Sequence, residues 1–152
     1  MKHLPALCVL SLITAACTST DEQGNQTVHF HPGGEIGAML AELNANYYSQ
    51  TYVRIEGTCA SACTMHIHNM KNGLVCVDRD AKMLFHGSTH PLGFFDGNDA
   101  PGKERADSLV AQTYPENLRR WYWEEGRFDG TITTFTGVEL YEMDPDYIVL
   151  CD

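Results

Sequence analysis

The feature that most constrains this chain is an alternation of short apolar runs with stretches of helical spacing, punctuated by glycine. Thr27-Val28-His29-Phe30-His31 alternates apolar and polar side chains and reads as a strand, which Pro32-Gly33-Gly34 ends. Ile36, Met39, Leu40, Leu43 and Tyr47 then recur at helical spacing, so an amphipathic helix of about three turns is expected. Tyr52-Val53-Arg54-Ile55 is a second strand, Gly57-Thr58-Cys59-Ala60 a turn, and Ser61 opens a helix reaching about Met70. Residues 74–77 and 83–86 are short strands, 87–102 a long loop, and 103–112 and 115–125 helical segments. Thr136-Gly137-Val138-Glu139 has the spacing of a capping box, and 147–150 is a closing strand. Strands joined by crossover helices build an α/β fold with a mainly parallel sheet, and ligands bind where its strands end.

At 152 residues the chain is sized for one domain, and its start stands apart from it. Lys2 and His3 precede an apolar run over 4–13, closed by Thr14-Ala15-Ala16-Cys17. The run is too short to span a bilayer, so residues 1–16 are expected to be a signal peptide. Cys17 after two alanines looks like a bacterial lipobox, with Thr14 where that pattern prefers Leu. Two outcomes stay open, lipidation at Cys17 or plain cleavage after Ala16. Either makes the protein exported, to the periplasm or as a lipoprotein anchored in the outer membrane, with the membrane touched only through the lipid. Residues 17–26 are polar and aperiodic and are expected to be a tether.

The formal charge of −10 becomes −11 when Lys2 leaves with residues 1–16. Such a surface repels phosphate and argues against nucleic acid as a partner. Four cysteines besides Cys8 and Cys17 remain: Cys59, Cys63, Cys76 and Cys151. In an exported chain they are disulfide candidates, with three pairings open. Their scatter disfavours zinc. His66 and His68 would point apart on one helix, so no metal site and no cofactor is expected.

Three pieces are candidates for chemistry. Pro32-Gly33-Gly34 lies between a strand and a helix, where glycines bring backbone N–H groups close to an anion. Ser61 opens a helix, where the dipole favours a developing oxyanion. His86 ends a strand, and a histidine is the usual base for activating a serine. Each alone has an ordinary explanation as a cap, a structural histidine or a turn. Their order is what joins them.

That order resembles the Clp peptidase family of the Clp peptidase/crotonase-like superfamily. The strand, Pro32-Gly33-Gly34, helix, strand and Ala60-Ser61-Ala62 follow its succession of elements, and the step of 25 from Ser61 to His86 matches its nucleophile-to-base spacing. Met83-Leu84-Phe85-His86 followed by Pro91-Leu92-Gly93 resembles its histidine segment. Gly57-Thr58-Cys59-Ala60-Ser61-Ala62-Cys63 is similar to a Gly-x-Cys-x-Ser-Ala-Cys motif of small secreted bacterial proteins of this fold. The resemblance implies a domain over residues 27–152, with Ser61 as nucleophile, His86 as base, and an oxyanion hole from the N–H groups of Gly34 and Ala62. The family's acid position falls on Ile132, so Asp129, three residues earlier, becomes the candidate third residue. The family's long ring-building helices are absent, so no ATPase partner is implied. Two functions are expected in competition: a serine hydrolase acting on a peptide or ester, and a non-catalytic envelope module that keeps the fold.

Overall fold

The structure is a computed structural model and describes residues 16–88, 100–127 and 131–152. Its centre is β3 (Val53–Ala60), which pairs in parallel with three neighbours. On one side runs β2 (Gln26–His31). On the other, β4 (Val75–Val77) pairs with Val53, Arg54 and Ile55, and β5 (Lys82–Phe85) takes over opposite Thr58, Cys59 and Ala60. The edges are antiparallel: β1 (Cys17–Thr20) on β2 and β6 (Thr133–Thr136) on β5. The fold is therefore α/β with a mixed sheet of six strands, parallel inside and antiparallel at both rims.

Several expectations change. Residues 17–20, read as part of a tether, form β1, because their polar side chains suit an edge whose two faces are both half solvated. The expected turn at 57–60 is strand: β3 runs on to Ala60, absorbing one extra residue opposite His29 as a bulge. The closing strand contracts to a single bridge, Val77 to Leu150, tied by Cys151 N–H donating to Val77 O at 3.0 Å.

Helix α1 (Ile36–Ser49) buries Met39 and Leu43 beside a 3₁₀ helix, Ser61–Asn72. The Asn69 amide donates to Leu43 O at 3.0 Å and fastens the two together. Helix α2 (Ala100–Ala111), helix α3 (Glu116–Trp121) and the π-helical turn Tyr122–Gly126 follow. They cover Phe85, around which Tyr114, Trp121 and Phe135 pack edge to face. Leu118 and Tyr122 face inward, as their spacing predicts, each such side chain contributing about 1.5–3 kcal/mol by burial. Helix α4 (Gly137–Met143) starts with the expected capping box: Glu139 N–H donates to Thr136 Oγ1, and Thr136 N–H donates back to Glu139.

The disulfides are Cys59–Cys63 and Cys76–Cys151, one of the three open pairings. Cys17 is also disulfide-bonded. Among the described residues, no helix is long and apolar enough to cross a membrane.

Candidate functional site

Ser61 sits where β3 ends and the 3₁₀ helix begins, and its backbone turns through the left-handed region at φ 55°. An L-residue is held there at a cost of order 1–3 kcal/mol, so the surroundings must impose it. Three contacts do so. The Cys59–Cys63 disulfide spans the elbow with its Cα atoms 5.4 Å apart, both cysteines fully buried. Thr64 Oγ1 donates to Ser61 O at 2.7 Å, and Tyr114 OH, with burial pushing its pKa up, stays protonated to donate to Thr64 at 2.6 Å. Gly33 presses from outside. With φ at +93°, its missing β-carbon would stand 2.5 Å from Ser61 Cβ and 2.7 Å from Ala60 O.

The Gly33 turn is fixed in its own right. Its N–H donates to His31 Nδ1 at 3.1 Å, which requires that nitrogen to carry no proton. Burial holds the His31 pKa below its ordinary value, with Glu42 pulling it up and His66 pushing it down. The exposed Gly34 N–H meets no acceptor among the described residues, and Ala62 lies in the first helical turn, where N–H groups lack helical partners.

His86 leaves β5 two residues beyond Leu84, which pairs with Ala60, the residue before Ser61. Serine and histidine thus emerge at the same end of adjacent parallel strands, which lie roughly 4.8 Å apart. Among the described residues no hydrogen bond joins them. His86 Nδ1 instead lies 2.7 Å from Gly87 O.

The β5–β6 register, Phe85 opposite Thr133, carried one step further sets residue 132 beside His86. That residue is Ile132, 66% exposed. Asp129 falls outside the described residues.

Beneath the strand end is an acid the sequence did not single out. Asp107 of α2 is fully buried and accepts Ser88 N–H at 2.7 Å, Tyr122 OH at 2.9 Å and Lys103 Nζ at 3.2 Å. Burial pushes its carboxyl up, and the donors outweigh this to hold it below the usual carboxylate range. Lys103 and Asp107 are an i,i+4 pair on α2. The signal for burial was Asp107 falling three residues before Val110 and four before Ala111, inside the apolar stripe of α2.

The other histidines are engaged differently. His29 bridges Glu56 at 2.9 Å and Ser19 at 2.9 Å. His66 is buried, with Nε2 3.4 Å from Glu42 Oε1. Among the described residues no three His, Cys, Asp or Glu are grouped to hold a metal. Two surface grooves, one lined by Asn117, Arg120, Trp121 and Met143 and the other by Arg79, Tyr141 and Val149, include neither Ser61 nor His86.

No protein-family model matches the sequence, and neither does any curated protein. Among solved structures, the chain is similar to "The crystal structure of a peptidase from plasmodium falciparum" at 10% identity and a TM-score of 0.50, covering 77% of this chain and 65% of that one. "Crystal structure of an Enzyme" matches at 12% identity and a TM-score of 0.48, over 76% and 66%. The chain thus spans just under two thirds of the length of each. At such identity what the chain shares with the peptidase is its α/β fold.

Proposed function

We propose that this protein is an exported serine hydrolase of the Clp-like type, acting on a peptide or ester in the cell envelope. One observation carries the reading. Ser61 is held at φ 55° on a strand-to-helix elbow, clamped by Cys59–Cys63 and wedged by Gly33, at the end of the sheet where His86 emerges. A serine needed only as a cap would adopt extended backbone; this one is kept in a strained left-handed geometry.

In this reaction Ser61 Oγ attacks the substrate carbonyl carbon while its proton passes to His86 Nε2. The carbonyl electron pair moves onto oxygen, and the oxyanion accepts the N–H groups of Gly34 and Ala62, each worth about 3–4 kcal/mol in enzymes that use such donors. Collapse expels the leaving group, which takes the proton from His86, and leaves an acyl-serine that water then hydrolyses. The fold shared with a solved peptidase accords with this but does not carry it. Residues 1–16 serve as the export signal, and the disulfides suit an oxidising compartment. Intact mass of the mature protein reports whether Cys17 carries a lipid.

A fluorophosphonate probe tests the reading: it labels the folded protein, and Ser61→Ala abolishes the label. A second reading, a non-catalytic module, is favoured by Ile132 at the acid position. It requires no label, with folding untouched by His86→Ala.

A further inference from the structure

We infer that Asp107 is a positioning residue that does the work of the missing triad acid, acting on His86 through the peptide unit between Gly87 and Ser88. The inference rests on the hydrolase reading and deepens it.

A backbone carbonyl can only accept a hydrogen bond, so the 2.7 Å contact to Gly87 O requires the proton of neutral His86 to sit on Nδ1. Nε2 then keeps its lone pair, the form a general base needs. The carbonyl that selects this tautomer belongs to the same planar unit as the Ser88 N–H, and that N–H donates to Asp107 Oδ1 at 2.7 Å. Fixing one end of a planar amide fixes the direction of the other. A carboxylate on the N–H end also polarises the amide and makes its carbonyl a stronger acceptor. Asp107, the peptide and the imidazole therefore form a relay with one amide inserted.

The surroundings hold that amide still. Lys103 Nζ bridges Asp107 Oδ2 at 3.2 Å and Arg127 O at 3.1 Å. Any β-carbon on Gly87 would collide with Arg127 O, so residue 87 must be glycine for the strand end to settle there. Tyr122 OH donates to Asp107 Oδ1 at 2.9 Å and lies 3.5 Å from His86 O. A buried carboxylate is a poor way to gain stability, since desolvation offsets much of its attraction. On the other flank of His86, Ile132 offers neither charge nor hydrogen bond.

The test is ¹⁵N NMR of the imidazole rings in the full chain at neutral pH, with His86 assigned by loss of its signals in His86→Gln. His86 in the wild type is expected as the Nδ1–H tautomer, and an Nε2–H tautomer overturns the inference without any need of a variant. Asp107→Asn, which keeps shape and removes charge, is expected to mix the tautomers and slow phosphonate labelling about ten-fold or more. Unchanged tautomer and labelling rate in a folded Asp107→Asn protein also overturn it. Absence of label on wild-type Ser61 would count against the hydrolase reading alone, because the tautomer is read independently of reactivity.

Discussion

Gly33 stands so close to Ser61 that a β-carbon on the glycine would come within 2.5 Å of the serine Cβ. The glycine turn and the serine elbow are one packed unit, although 27 residues of sequence lie between them. Gly33→Ala therefore meets two penalties at once, φ +93° and a collision with backbone at Ala60 O, 2.7 Å away. It should lower stability by about 2 kcal/mol or more and slow labelling at Ser61 well beyond what the stability loss explains. Urea titration and labelling rates on the same samples check this.

The two disulfides should separate stability from reactivity. Cys76–Cys151 closes a loop with a sequence separation of 75, and Cys59–Cys63 one of 4. Loop-closure entropy makes the long one worth about 4.5 kcal/mol and the short one about 2 kcal/mol. Replacing each pair by alanine should thus destabilise more at 76 and 151, yet impair labelling more at 59 and 63. Thermal melts and probe labelling of both double variants give the comparison.

Ser61 pays for its position in backbone strain at φ 55°. Ser61→Gly should be more stable than Ser61→Ala by about 1 kcal/mol, both being unreactive, because glycine enters the left-handed region freely. Equal stabilities in denaturant would contradict the strain.

His31 gives a pH dependence. Its folded pKa lies below the ordinary 6.5, chiefly through burial, so between those two values the unfolded chain binds more protons than the folded one. The stability it contributes is complete above about pH 6.5 and is lost as pH falls toward the folded pKa. Protonation also removes the acceptor that holds the Gly33 N–H. His68 acts in the same direction and window, whereas Glu42, held low first by its bond to His66, loses its contribution only below its ordinary 4.5. His31→Gln, which keeps an acceptor and cannot titrate, should flatten part of the stability loss from pH 7 to 5 in denaturant titrations.

Elements set by local periodicity were legible in the sequence. The helix expected from the spacing of Ile36 to Tyr47 is observed as Ile36–Ser49, and the capping box at Thr136 and Glu139 forms as its spacing requires. What escaped was set by tertiary partners. Strand β6 is mostly threonine and carries no apolar alternation until β5 pairs with it, and β1 is polar because it is an edge. At the site, Gly57-Thr58-Cys59-Ala60 has the composition of a turn, yet β3 continues to Ala60 and the change of direction falls on the serine itself. Asp107 was invisible for the same kind of reason. Its donors Ser88 and Tyr122 lie 19 and 15 residues away, and only folding makes a Lys-Asp helical pair into a buried carboxylate under the histidine.

The most direct measurement is mass-spectrometric mapping of a fluorophosphonate adduct on the folded chain with Cys59–Cys63 closed. The account predicts a single adduct on the Ser61 hydroxyl that disappears in His86→Gln. A folded, disulfide-closed protein left unmodified at Ser61, or modified equally well without His86, would contradict it.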